Sequence, residues 1–318
     1  MALKFSPGGS VLAVGDYEGS VVLWDAAQRR EIARWKAHRS AVRGLGFSPD
    51  GKKLATAGDD NVIQLWELGS RRRLMTFTGH QSSIYGLSFS PDGSTLASAG
   101  GDGVKLWNST VMTGERELPQ TITPLWFSPD GRVTATIDQA LRIQYWDTAT
   151  RRLIRSNAPI AKGADSSTLV RMAADGQTVA IGPIDGAIEL WNVDRHERIA
   201  TFPNERNDNL NGLVFSPDQH WLVSTHHARP PGNGWEARMW NLETRQLAAR
   251  FPAKSAPVAF APDSTTFVTL GERRTLQFWD TLSHREVRSF PTRVGGTPRV
   301  LAFSPDGTLI ASGGGEFM

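Results

Sequence analysis

Residues 42–66 read VRGLGFSPDGKKLATAGDDNVIQLW, and the alternation inside this stretch decides the fold class. Val42 to Phe47 alternates as a strand, Ser48-Pro-Asp-Gly51 is a turn, Lys53 to Ala57 is a second strand and Val62 to Trp66 a third. Leu74-Met-Thr-Phe77, just beyond, makes a fourth. In the turn, Pro49 presets φ for the first corner and Gly51 accepts the positive φ at its end, so the tetrapeptide suits a tight connection between antiparallel strands.

Working outward, the same unit recurs along the chain. Phe-Ser-Pro-Asp-Gly or a close variant starts at Phe5, Phe47, Phe89, Phe127, Met172, Phe215, Phe260 and Phe303. Between successive copies stands a Trp followed by Asp, Glu or Asn, at Trp24, Trp66, Trp107, Trp146, Trp191, Trp240 and Trp279. These tryptophans are 39 to 49 residues apart, around the period of a four-stranded propeller blade. No segment carries helical periodicity, so the reading is all-β.

Composition agrees with a packed chain. Of the 318 residues, 39% are hydrophobic and 21% charged, enough apolar matter for a core and too little charge bias for disorder. No apolar run approaches the roughly 18 residues needed to cross a bilayer, and Met1 to Ser10 lacks a basic flank followed by an apolar stretch. The expectation is a cytoplasmic protein with no membrane partner. The absence of cysteine excludes disulfides, thiolate catalysis and cysteine-ligated zinc. A net charge of +3 argues against nucleic acid as the partner.

On these repeats the chain resembles the WD-repeat β-propeller family along essentially its whole length, either as a bacterial-type protein or as a stretch of a longer WD-repeat array. The resemblance implies one domain over residues 1–318, with units at about 1–37, 38–79, 80–120, 121–160, 161–204, 205–252 and 253–292 and a partial unit at 293–318. That makes seven four-stranded blades plus a surplus C-terminal two-stranded half repeat; the alternative is eight blades with the last incomplete. The family's polar set falls on His38, Thr56, Asp60 and Trp66 in the second unit and His80, Ser98, Asp102 and Trp107 in the third. In the family such residues form a structural hydrogen-bond chain across the d–a loop, strand b, the b–c turn and strand c. Other copies have decayed: the first has Glu18 in place of the Asp, the fourth and fifth d–a connections lack a Gly-His pair, and the seventh has Glu272-Arg-Arg274, so these blades are expected to depend on apolar packing.

Partners of the family dock on the face made by the d–a and b–c loops, around the central channel. The matching positions here are Tyr17, Arg43, Asp59, Tyr85, Thr123, Thr168, Ile184 and Asn211. The sixth unit swells between strands b and c to a Pro/Gly-rich stretch, residues 224–235, whose His226, His227, Arg229 and Trp235 read as a recognition loop. The competing reading is a tolerated insertion whose Trp235 covers local apolar surface. His220, His226 and His227 match no metal-ligand spacing, so no metal and no cofactor is expected. Arginines at the c–d turns, such as Arg29, Arg71 and Arg151, alternate with a–b turn aspartates such as Asp50, Asp92 and Asp130, a mixed-charge rim.

The His, Ser/Thr and Asp of the second and third units superficially match a hydrolase triad, but they repeat together with a Trp, which marks a structural role. There is no Gly-x-Ser-x-Gly elbow, phosphate-binding glycine loop or His-Glu-x-x-His. The expected function is a non-catalytic scaffold for partner peptides or domains; the alternative is a regulatory or sensor module of a longer multidomain protein, attached to a kinase or other effector. The sequence leaves the oligomeric state open.

Overall fold

The computed structural model describes residues 2–110, 116–117, 121–138, 140–160, 168–183, 186–204, 208–228, 234–255, 258–271, 275–292, 298 and 300–314. The described residues contain strands and turns and no helix. They form seven four-stranded antiparallel sheets and a small C-terminal two-stranded sheet, the arrangement of a seven-bladed β-propeller with an extra hairpin. The chain divides into two compact units, Met1–Ala158 and Pro159–Met318.

The first unit holds four sheets. These are β1 (Ala2–Phe5), β2 (Val11–Gly15), β3 (Ser20–Asp25) and β4 (Arg30–Lys36); β5 (Val42–Phe47), β6 (Lys53–Gly58), β7 (Val62–Glu67) and β8 (Arg73–Thr78); β9 (Ile84–Phe89), β10 (Thr95–Gly100), β11 (Gly103–Asn108) and β12 (Arg116–Glu117); and β13 (Thr121–Phe127), β14 (Val133–Asp138), β15 (Ile143–Asp147) and β16 (Leu153–Ser156). Each is a meander, so its a–b and c–d turns lie at one end of the strands and its b–c and d–a connections at the other. The second strand is deeply buried in sheets two to four, where every residue of β10 and all but the first of β6 and β14 are buried. β4 and β8 face mostly out, and β16 does so along its whole length.

The second unit holds β17 (Leu169–Met172), β18 (Thr178–Gly182), β19 (Ile188–Asn192) and β20 (Glu197–Phe202); β21 (Asn209–Phe215), β22 (Trp221–His227), β23 (Trp235–Asn241) and β24 (Gln246–Ala253); β25 (Ala259–Phe260), β26 (Thr266–Leu270), β27 (Thr275–Asp280) and β28 (Glu286–Pro291); and the hairpin β29 (Val300–Phe303) and β30 (Ile310–Gly313). The hairpin is not a free appendage. Leu301, Phe303 and Ile310 pack against Val268, Leu270, Leu276 and Phe278 of the seventh sheet.

Successive sheets meet through the same contact. A Cβ built on the turn glycine of the third sheet, Gly93, would stand 3.3 Å from Pro49 of the second, and one on Gly131 of the fourth 3.3 Å from Pro91 of the third. On Gly307 of the hairpin it would stand 3.4 Å from Pro262 of the seventh sheet. The hairpin therefore seats its turn on the seventh sheet as a following sheet does. These glycines have φ near +70°, so both the backbone and the neighbouring proline ring exclude a side chain.

Candidate functional site

In the second sheet the polar set closes into one chain of hydrogen bonds. His38, from the connection ahead of β5, lies 2.9 Å through Nδ1 from Asp60 Oδ1 and 2.7 Å through Nε2 from Thr56 Oγ1. The Trp66 indole donates to the same Thr56 oxygen at 3.0 Å. An indole only donates, so Thr56 accepts from Trp66 and passes its own proton to His38 Nε2, which leaves Nδ1–H for the Asp60 carboxylate. The third sheet repeats the chain, with His80 at 2.6 Å from Asp102 and 2.7 Å from Ser98, and Trp107 at 2.8 Å from Ser98. Thr56 and Ser98 are fully buried and already engaged, so neither oxygen is placed to attack a substrate.

Beside this network, at the b–c end of the first unit, four of the family-matched positions come together. The Arg43 guanidinium grips Asp59 through Nε at 3.0 Å and Nη2 at 2.7 Å, both to Oδ2, and lies 5.5 Å from the Tyr17 ring centroid. Hydrogen bonding to Arg43 holds the Asp59 carboxyl below its ordinary range, and the same bond raises Arg43. Tyr17 comes from the first sheet, Arg43 and Asp59 from the second and Tyr85 from the third; Tyr17 is 43% exposed and Tyr85 63%. The result is a charge pair fixed beside the exposed Tyr17 ring, with exposed Tyr85 on the next sheet within electrostatic reach of Arg43. Thr123 lies in β13, paired with Ile137.

In the second unit, Thr168 is half-buried just ahead of β17 and Asn211 is exposed in β21, while Ile184 and Arg229 lie outside the described residues. The swollen stretch of the sixth sheet departs from the expected loop. Strand pairing continues through His226↔Glu236 and His227↔Trp235, so His226, His227 and Trp235 are strand residues. His226 is 1% exposed and bonds Ser224 Oγ through Nε2 at 2.8 Å, which rules out the surface contact expected of it. Burial first, then the positive field of Arg238, pushes its pKa down to about 3. Trp235 stacks on His227 at 4.7 Å and packs onto the core cluster of Phe251 and Ala253. Glu272-Arg-Arg274 lie outside the described residues.

The WD domain, G-beta repeat family model matches residues 1–25, 29–67 and 71–108. The fold matches the crystal structure of the Cps50 (Swd1) β-propeller domain from Myceliophteria thermophila with a TM-score of 0.68, over 88% of this chain and 96% of that one, at 18% identity. The chain carries WD repeats and has the β-propeller fold. Transducin beta-like protein 3 of Rattus norvegicus is 36% identical over 185 residues, 56% of this chain and 22% of that protein. An uncharacterized WD repeat-containing protein of Synechocystis sp. is 30% identical over 149 residues, 46% of this chain and 40% of that protein. Small ribosomal subunit protein RACK1 of Caenorhabditis elegans is 26% identical over 129 residues, 39% of this chain and 35% of that protein. The matched stretch thus spans between 22% and 40% of these relatives' own length.

Within the propeller, the decayed blades keep more polar structure than their motifs imply. Trp146 donates to Thr136 at 2.8 Å and Trp279 to Thr269 at 2.9 Å, so the expectation of apolar packing alone fails for blades 4 and 7, and in blade 6 Trp240 makes the same bond to Ser224 at 2.8 Å. The reason is that the indole needs only one hydroxyl on strand b, and that hydroxyl survives where the His and Asp do not. Blade 6 adds a buried ion cluster that sequence reasoning missed. Arg238, 1% exposed, reaches Asp208 at 2.6 Å and Glu236 at 2.6 Å, and Glu236 also holds Arg250 at 2.7 Å. A signal existed: the residue two before the Trp is Val22 in blade 1 but Gln64, Lys105, Gln144, Glu189, Arg238 and Gln277 in blades 2 to 7, polar at a strand position whose neighbours are apolar.

Proposed function

We propose that the chain is a non-catalytic interaction scaffold that binds segments of partner proteins at the b–c and d–a loop end of its blades, with Tyr17, Arg43, Asp59 and Tyr85 as the first contact set. The observation that carries this reading is the Arg43–Asp59 pair held beside Tyr17, with Tyr85 exposed on the following blade. Tyr and Arg are the residue types on which binding energy concentrates, and side chains fixed before binding lose less entropy when a partner arrives. The kinship supports the class: RACK1 is named as a ribosomal subunit protein, a component of an assembly, and WD40 propellers are generally an interaction fold without enzymatic activity. Thr168, Asn211 and His227 are further positions for such contacts. A putative BTB/POZ domain and WD-repeat protein of Acanthamoeba polyphaga mimivirus, 26% identical over 129 residues, favours a second reading in which the propeller is the sensor module of a longer chain.

Affinity capture from the source cell's extract tests the first reading. The Tyr17→Ala/Tyr85→Ala variant is expected to lose its captured partner, with Kd weakened at least tenfold because each buried aromatic anchor contributes about 1–2 kcal/mol. The two rings are exposed in the free protein, so its melting temperature should stay unchanged. Undiminished capture by that variant would exclude this contact set.

A further inference from the structure

At the other end of the strands, where the a–b and c–d turns lie, blades 6 and 7 enclose a cleft of about 440 Å³. Trp221 and Leu282 form its apolar wall, and Asp218, Asp263 and Asp280 line it as well. Leu282 is 81% exposed, the highest figure among the large hydrophobic residues described. The floor is fixed across the two blades, because Ser264 Oγ accepts the Asp218 backbone N–H at 3.0 Å. The cleft is therefore preformed rather than shaped on binding.

The charges in the cleft are unbalanced. Asp263 accepts hydrogen bonds from Thr265 N and Oγ1 at 3.0 and 2.9 Å, and Asp280 from Ser283 N and Oγ at 2.6 and 2.7 Å. The Ser283 hydroxyl first, then its backbone N–H, holds the Asp280 carboxyl below its ordinary range, so it is ionised at neutral pH. Among the described residues no lysine or arginine lines the cleft, and the sole basic type there is His220, 3.2 Å from Asp218. The adjoining cleft of about 530 Å³, between blade 7 and the hairpin, differs in this respect: Arg288 lines it together with Asp263 and Asp306. That cleft carries its own counter-charge, whereas the one between blades 6 and 7 lacks it.

We propose that the cleft between blades 6 and 7 docks an extended segment of a partner protein that inserts an arginine or lysine side chain. The aliphatic stem of such a residue lies along Trp221 and Leu282 while its cation sits among the carboxylates, the division of labour that long basic side chains allow. The unbalanced negative field disfavours an acidic segment at the same place.

The test is a nuclear magnetic resonance titration of the full chain with acetyl-Leu-Arg-amide and acetyl-Leu-Glu-amide, following the Trp221 indole N–H and the Leu282 methyls. The arginine probe should give a saturable shift at both residues and the glutamate probe none. The response should weaken roughly fivefold in Asp263→Asn/Asp280→Asn, whose side-chain oxygens still accept the turn hydrogen bonds. It should weaken again when salt rises from about 0.05 M to about 0.5 M. Equal response to the two probes, or no shift at Trp221 and Leu282, overturns the proposal. Concentration-dependent dimerisation that Leu282→Ser abolishes would also overturn it, by making a second copy the occupant. The Tyr17→Ala/Tyr85→Ala variant should respond to the arginine probe like the parent, which separates this cleft from the loop-end contact set.

Discussion

Thr56 Oγ1 takes the indole proton of Trp66 and gives its own to His38, and Asp60 closes the chain by accepting from His38 and from the Arg39 backbone N–H at 3.1 Å. Asp59, its neighbour in sequence, pairs instead with the half-exposed Arg43. The two aspartates should therefore differ sharply in weight. Asp60→Ala leaves the buried His38 Nδ1–H without its acceptor, along with the exposed Arg39 N–H, and should cost about 1–3 kcal/mol, whereas Asp59→Ala removes a partly solvated ion pair and should cost less than about 1 kcal/mol. Urea unfolding of the two variants decides it, and equal midpoints would refute the assignment of Asp60 to the network. His38 and Asp60 were legible in the sequence because they repeat as His80 and Asp102. Arg238 was not read, because its partner Asp208 comes from the d–a connection and nothing local to either residue announces the pair.

At the scale of one element, the a–b turn is the most regular piece of the molecule. Gly9, Gly51, Gly93, Gly131, Gly176 and Gly307 end their turns at positive φ, and the same place is held by Gln219 (φ 62°) in blade 6 and Ser264 (φ 62°) in blade 7. An L side chain in this region is strained by about 1–2 kcal/mol. Gln219→Gly should relieve that strain and raise stability by about 0.5–1 kcal/mol after the added entropy of the unfolded chain is counted. Ser264→Gly relieves the same strain but strips the Asp218 N–H of its acceptor, so it should give no gain or a net loss. Thermal melts of the pair test this, with equal gains for both contradicting a role for the Ser264 hydroxyl. The turns were readable because Pro, Asp and Gly act on their own backbone. The b–c segment of blade 6 was not, because its Pro/Gly content signals a loop while the pairing of His227 with Trp235 depends on a strand eight residues away.

For the whole molecule, acid is the condition that reaches several blades at once. The Ser48 hydroxyl lowers Asp50, Ser90 lowers Asp92, Ser128 lowers Asp130 and Ser304 lowers Asp306, each chiefly through a direct hydrogen bond. A carboxylate held lower in the folded state contributes stability above its unfolded pKa and loses it as pH falls, so these turns weaken together below about pH 4. His226 acts earlier. Folded, it stays neutral down to about pH 3, against an ordinary value of 6.5, so the unfolded chain alone takes up the proton in between. Stability should fall by up to about 1.4 kcal/mol per pH unit across that window. Urea midpoints at about pH 7 and pH 5 should drop further in the parent than in His226→Gln; parallel drops would mean His226 titrates normally.

What the sequence determined by itself is whatever one blade needs from its own residues: alternation for four strands, Pro-Asp-Gly for the a–b turn, one Trp on strand c, and in two blades a His and an Asp to complete its hydrogen bonds. These signals act over a few residues or repeat at the blade period, so the chain displays them in order. The tertiary structure alone decided what happens between blades and beneath the surface. It set Arg43 beside Tyr17 of the preceding blade, tied Ser264 to the Asp218 backbone, left the carboxylates beside Leu282 without a cation, and buried His226 against Arg238. Each of these depends on residues far apart in the chain meeting at a particular depth and angle, and only packing supplies that.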